Sequence, residues 1–314
     1  MNRPAMAVLA LVGVVLLAGC GAARYPDPVS VTAADGRGAI RPLPTPQACT
    51  SIATDADAMT AALAKAAPGD RICVLGGIGR RLVLRRSGTA AAPISVLGDG
   101  HTSVKGITVL ASHITVSGIN AIRPWAPGIS LTGNDITLEN STSISPRGED
   151  GDGIRFFGDD ITIRHNTIRD VRNLHFAHAD CMQTFATDPA HPASRHVVIE
   201  HNRCERIANQ CLIAEGPHSS AGDGSGIGVS ADIRFADNYC ETHAYQDTEV
   251  DDVQHVTIVG NEVRGRKPKA FSFQNHSTGA VVADNVVAPE IDHEVGMDGS
   301  SQYDYDVPII GGKP

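Results

Sequence analysis

"DDITIRHN" at residues 159–166 returns as "RHVVIEHN" at 195–202, "ADIRFADN" at 231–238 and "QHVTIVGN" at 254–261. Looser copies flank them, "NDITLEN" at 134–140 and "GAVVADN" at 279–285, and "PISVLG" (93–98) and "SHITVSG" (112–118) keep a similar beat. In each copy apolar and polar residues alternate, as they do in a β-strand whose side chains point to opposite faces in turn. Each of the six closes on an asparagine, and Asn166, Asn202, Asn238, Asn261 and Asn285 follow at intervals of 36, 36, 23 and 24 residues. A period of roughly 20 to 25 residues, with strand alternation and no helical pattern between strands, marks a stack of parallel coils, a β-solenoid. Coils stack about 4.8 Å apart, so the asparagines form a column whose amides can bond from coil to coil.

The same alignment assigns several polar residues to the scaffold. His165 and His201 directly precede two column asparagines and read as turn residues. Arg164 falls against Glu200, Arg169 against Glu205 and Asp170 against Arg206. Opposite charges on neighbouring coils are worth up to about 1 kcal/mol, and these set the register. Only 4% of residues are aromatic and 32 are glycine, so the core is built from small aliphatic side chains. A net charge of −9 argues against nucleic acid as a partner. A monomer is expected.

The chain resembles the right-handed parallel β-helix superfamily of pectate lyases and polygalacturonases. The likeness rests on the repeats and on "AALAKAAPGDRICVLGGIGRRLVLRRSGTAAAPISVLGD" (61–99), similar to the opening of many such secreted proteins. It implies an all-β fold, a single-stranded right-handed parallel β-helix with a short N-terminal capping helix. The helix domain is set at 48–290, and 291–314 form a C-terminal cap or tail. The superfamily hosts lyases, hydrolases, epimerases and adhesins, so the fold leaves the reaction open.

Upstream, Met1-Asn2-Arg3 and the apolar run "AMAVLALVGVVLLAG" form a secretory signal of residues 1–19. "LAGC" at 17–20 resembles the bacterial lipobox, which implies cleavage before Cys20, acylation of its sulfur and attachment to a membrane outside the cytoplasm. Residues 20–47 lack apolar periodicity and read as a Pro/Ala-rich tether. Six of the seven cysteines remain, an even number suited to disulfides in an exported protein. The coil alignment proposes Cys204–Cys240 and Cys181–Cys211 as in-register neighbours and leaves Cys49–Cys73 to tie the cap to the first coil.

A second strand precedes the asparagine strand in each coil: "DGIRF" (152–156), "DCMQT" (180–184), "QCLIA" (210–214), a weaker one near "DTEVD" (247–251), and "KAFSF" (269–273). With Ile154 and Phe156 inward, alternation turns Arg155 and Gln183 outward. Asp152 and Asp180 begin consecutive strands and His178 lies opposite Asp150. The long connectors "ATDPAHPASR" (186–195) and "EGPHSSAGDGSGIG" (215–228) leave from adjacent coils beside Gln183, and solenoid insertions commonly gather on the binding face. A polysaccharide site is therefore expected here. His178 is the candidate acid or base. Asp152 and Asp180 orient it, hold Ca²⁺ together with Glu149 and Asp150, or act as a hydrolytic pair. Arg155 is the candidate partner of a uronate carboxylate and Gln183 of a sugar hydroxyl. No cofactor other than Ca²⁺ is suggested. The leading reading is a surface-anchored lyase acting on a uronic-acid glycan by proton abstraction. A glycan-binding adhesin and a hydrolase using Asp152 and Asp180 remain as alternatives.

Overall fold

The computed structural model describes residues 49–148, 150–172, 178–222, 229–302 and 305. The signal segment, the tether, Cys20 and Glu149 lie outside these residues. Three parallel sheets of ten, eight and nine strands wind around one interior. A coil runs from the ten-stranded sheet (Ile161–Arg164) to the eight-stranded sheet (Thr167–Val171) and then to the nine-stranded sheet (Met182–Phe185) before rising to the next. The alignment finds the ten- and nine-stranded sheets. It overlooks the third, whose strands start directly after the asparagines and are as short as Thr142–Ile144 and Glu262–Arg264. The nine-stranded sheet also passes residue 290, adding His293–Met297.

Inward positions repeat with the coil. Ile94, Ile114, Ile136, Ile161, Val197 and Ile233 form one buried aliphatic stack, and Phe156, Phe235, Phe271 and Phe273 fill wider places. The helix Ala56–Lys65 starts at Asp55, whose carboxylate accepts from the amides of Asp57 and Ala58. Met59 and Leu63, four residues apart on one face, join the core beside Ala53, Val74 and Leu82.

The asparagine column is continuous. The amides of Ser141, Asn166, Asn202, Asn238 and Asn261 each donate to the side-chain oxygen of the asparagine one coil on, at 2.9–3.0 Å. Each side-chain nitrogen donates to a strand carbonyl, such as Asn202 to Ile163 at 2.8 Å. Asn140 is one place out of the column, because Glu139 pairs with Arg164 and so Ser141 falls beside Asn166. The residues before the column, His165, His201, Asp237 and Asp284, take left-handed φ values of 53–56°. The rings of His165 and His201 stack 5.1 Å apart. Of the proposed charge pairs, Arg206 reaches Asp170 at 2.7 Å, whereas Arg164 turns to Glu139 of the preceding coil at 2.8 Å rather than to Glu200.

Two disulfides correct the sequence reading. Cys49–Cys73 is bonded, but the other bonds are Cys181–Cys204 and Cys211–Cys240. The register itself stands, since Cys204 pairs with Cys240 and Met182 with Leu212. In-register neighbours project their Cβ atoms side by side in one direction. Cys181 on the nine-stranded side and Cys204 on the eight-stranded side instead converge across the narrow interior, with Cα atoms 5.9 Å apart. Three disulfides belong to an oxidising, extracytoplasmic compartment. Among the described residues no helix is long and apolar enough to cross a membrane.

Candidate functional site

Strands Ile154–Phe157 and Met182–Phe185 pair with Ile154 beside Met182 and Arg155 beside Gln183. Asp152 and Asp180 therefore share one position on adjacent coils, and both are fully buried. The Asp180 amide donates to Asp152 Oδ1 at 2.8 Å, and the Gln210 amide donates to Asp180 Oδ1 at 2.8 Å. These carboxylates thus form a short ladder of their own where the strands begin. Gly153 lets the chain turn there: a Cβ would lie 2.3 Å from Ile168 Cγ2 and 2.7 Å from the Cys181 carbonyl. All four oxygens of the expected carboxylate pair are engaged, Asp152 by the Asp180 amide and Arg155 and Asp180 by the Gln210 amide, Asn209 and His178.

The outer edge of the ladder differs. His178 Nδ1 lies 3.0 Å from Asp180 Oδ2, and the ring is about half exposed. Asn209 Nδ2 also donates to Asp180, at 2.8 Å, so three groups fix this carboxylate. The hydrogen bond to Asp180 raises the proton affinity of His178 above the ordinary imidazole range, against the opposing effect of partial burial. Burial, and then the charge of Asp180, push the Asp152 carboxyl up to about 8. Arg155 is largely spoken for: its Nε donates to Asp152 at 2.7 Å, another nitrogen contacts Asp150, and the guanidinium lies over the Phe185 ring. Arg155 therefore braces the carboxylates. Phe185 and Phe157 also hold His191, at ring separations of 5.2 and 4.8 Å, which seats the first long connector against this face.

The sequence reading missed a carboxylate cluster on the next two coils. Register places Phe185, Glu215, Asp251 and Gln274 in one outward column, and Gln183, Ile213, Glu249 and Ser272 in the column beside it. Glu249 accepts from Gln210 at 2.8 Å and Gln274 at 2.9 Å, and Asp251 accepts from Gln274 at 3.0 Å. Burial, then Glu249 and Asp251, push the Glu215 carboxyl up to about 7. Three buried oxygens have no hydrogen-bond partner: Gln183 Oε1, Gln210 Oε1 and Asp251 Oδ1. Buried acceptors without donors are costly. Three acids and two amide carbonyls put oxygen ligands of the kind a hard cation takes on this face, although the oxygens of the three acids do not all lie within 4.8 Å of one another. At the expected ion site, Asp150 also keeps one buried oxygen without a hydrogen-bond partner. Asp150, Asp152 and His178 do approach one another, but Arg155 already supplies positive charge there and Glu149 lies outside the described residues. The alternation in "LIAE" and "QDTEVD" carried the signal for the cluster, since it turns Glu215, Glu249 and Asp251 to one face.

Coils of three parallel sheets around an aliphatic interior, with polar chemistry on an outer face, define a parallel β-helix protein. The chain belongs to the right handed beta helix region family, whose pattern matches residues 94–288, more than half of its length. Comparison with curated protein sequences gives no match. Among solved structures, the fold is similar to that of the PL6 family alginate lyase AlyGC, with a TM-score of 0.57 and 16% identity over 79% of this chain and 36% of that one. A mannuronic acid specific polysaccharide family 6 lyase from human gut microbiota gives a TM-score of 0.53 and 11% identity, over 79% of this chain and 66% of that one. An alginate lyase from Paenibacillus sp. str. FPU-7 gives a TM-score of 0.48 and 17% identity, over 81% and 99%. This chain thus spans about a third of AlyGC. At these identities the likeness is one of fold.

Proposed function

We propose that the protein is an extracytoplasmic lyase, anchored through Cys20, that cleaves a uronic-acid-containing polysaccharide on the outer face of the nine-stranded sheet. The observation that carries this is the His178–Asp180 dyad: a half-exposed imidazole fixed at Nδ1 by a buried carboxylate, beside a carboxylate cluster with orphaned oxygens. The chemistry is β-elimination. His178 Nε2 takes the proton from the carbon next to the uronate carboxylate. The freed electron pair forms the carbon–carbon double bond as the glycosidic C–O bond at the neighbouring carbon breaks, and the leaving oxygen takes up a proton. Asp180 holds the His178 tautomer whose Nε2 can accept that proton. Glu215, Glu249 and Asp251, with the carbonyls of Gln183 and Gln210, would hold a divalent cation such as Ca²⁺. When bound, the cation neutralises the uronate carboxylate and acidifies the adjacent proton. Arg155 positions Asp152, and Gln183 stands between the dyad and the cluster.

The solved structures of similar fold, an alginate lyase and a mannuronic acid specific polysaccharide lyase, support this substrate class. The test is to incubate the folded domain with alginate, polygalacturonate and glycosaminoglycans, following the ultraviolet absorbance of unsaturated uronates alongside reducing ends. Absorbance should rise with reducing ends on one acidic polymer. Reducing ends without absorbance would mean hydrolysis and overturn the mechanism, and binding without either would make the protein a glycan-binding module.

A further inference from the structure

The core is made without tryptophan. The single Trp of the chain, Trp125, is 68% exposed, and Tyr245 is 67% exposed. Both lie in the corner between the eight- and nine-stranded sheets, the corner that also carries His178. Trp125 precedes strand Ile129–Thr132 and Tyr245 precedes Gln246–Asp251. Strand Met182–Phe185, which follows His178, is two coils from each. The two rings are thus four coil steps apart, about 19 Å along the solenoid axis, with the dyad midway.

The loop that carries Trp125 is held down, and a cation lies beside the Tyr245 ring. Gly148 leaves room for the indole, since a Cβ there would lie 3.3 Å from Trp125 Cε2. Arg81 donates to the carbonyls of Trp125 and of Pro127, the latter at 2.8 Å, which holds the loop down. The Trp125 backbone bridges to that of Arg147, whose exposed side chain donates to the Arg123 carbonyl at 3.1 Å. Lys269 Nζ lies 5.7 Å from the centre of the Tyr245 ring, and Gly296 leaves room for its stem. The C–H face of a sugar ring stacks on such an aromatic plate, and a carboxylate on that sugar meets the neighbouring cation. On a chain of net charge −9, a cation beside the exposed Tyr245 ring, and Arg147 on the strand step next to Trp125, favour acidic sugars.

We infer that Trp125 with Arg147, and Tyr245 with Lys269, are two uronate-stacking subsites flanking the reaction centre. The polysaccharide then lies along the solenoid axis in this corner and is cut inside the chain rather than at its end. The subsites presuppose the uronate reading given above. Trp125 supplies its own probe, because intrinsic tryptophan fluorescence comes from this residue alone. The folded domain is titrated with alginate- and polygalacturonate-derived fragments from disaccharides to long oligomers, with neutral cello-oligomers as the control.

Long acidic fragments should change the emission saturably and bind more tightly than short ones. Tyr245→Ala should weaken long-fragment binding by about 3- to 10-fold and leave disaccharide binding unchanged. Lys269→Gln should flatten the salt dependence of long-fragment binding. Trp125→Ala, followed by calorimetry, should behave as Tyr245→Ala does. Neither aromatic packs in the core, so melting temperatures should hold. If the wild type binds or cuts long fragments and both aromatic variants match it, the subsites are overturned while the uronate site stands. If no acidic fragment binds the wild type, both fall. Equal binding of cello-oligomers overturns the acidic selectivity.

Discussion

Asp180→Asn separates the chemistry from the scaffold. Asp180 Oδ1 accepts from Gln210 N and Asn209 Nδ2, both at 2.8 Å, and asparagine keeps an oxygen for these donors. Its other atom becomes an NH₂ facing His178 Nδ1, where Oδ2 now lies 3.0 Å away. Two donors cannot face each other, so the His178 proton moves to Nε2, and the ring loses the lone pair that would accept a substrate proton. Loss of a positioned base costs about 10² to 10⁴ in turnover. The stability change should be about 1 kcal/mol or less, because His178 is half exposed and its ion pair is screened. It should also be offset by relief of Asp152, whose proton affinity the Asp180 charge raises. Asp180→Ala is the contrasting variant. It strands the Gln210 amide and Asn209 Nδ2 and frees His178 Nδ1 to water, and should cost about 2–6 kcal/mol at roughly 1–3 kcal/mol per orphaned buried donor. Turnover by ultraviolet absorbance and stability by urea unfolding are measured on the same samples. An asparagine variant that turns over within about threefold of wild type would refute the dyad, as would one that loses turnover only in proportion to lost fold.

Turnover should fall on the acid side of a midpoint above pH 6.5, since hydrogen bonding to Asp180 raises the His178 proton affinity and a protonated ring cannot act as base; a pH–rate profile locates the limb. The same shift stabilises the fold fully below about pH 6.5 and is lost as pH rises through the higher folded value, so His178→Gln should destabilise at pH 5 and not at pH 9 in thermal melts. Ca²⁺ should raise the melting temperature of the wild type, and Glu249→Gln should abolish that rise while leaving the three disulfides intact on non-reducing peptide maps. Asn202→Ala removes the acceptor for the Asn166 amide and the donor to the Ile163 carbonyl in a fully enclosed column. It should cost about 3 kcal/mol in denaturant unfolding, and a loss under about 1 kcal/mol would mean that the column is dispensable.

The coil register was legible because identical demands recur at each coil. Ile161, Val197 and Ile233 must all face inward, and Asn166, Asn202 and Asn238 must all bond upward. The third sheet was not legible, because three-residue strands such as Thr142–Ile144 are too short to display alternation. Pairing of the cysteines failed for a different reason. Register gives neighbours along the axis, whereas Cys181 and Cys204 meet across the interior, a contact set by the shape of the cross-section. At the candidate site, "HADCMQT" (178–184) stands out in the sequence because its polar residues interrupt an aliphatic pattern. The carboxylate cluster was harder to find. Glu215, Glu249 and Asp251 come from segments 34 to 36 residues apart and become a group only once the sheet faces outward, and the same residues spread over a loop would be an ordinary solvated surface.

Each interior disulfide joins the last strand of one coil to the middle strand of the next, Cys181 to Cys204 and Cys211 to Cys240, so two successive coil steps are fastened covalently. Outside these steps and the Cys49–Cys73 bond, cohesion along the axis rests on hydrogen bonds and packing, and a tensile load on the two ends should unzip those turns one by one. The bridged loops, 23 and 29 residues between Cys181 and Cys204 and between Cys211 and Cys240, would be withheld from that extension. Reduction should release roughly 80 and 100 Å of additional contour at 3.3–3.6 Å per residue, visible as longer steps in single-molecule pulling. With the anchor and binding face proposed above, the coils bearing the dyad are then the last to come apart.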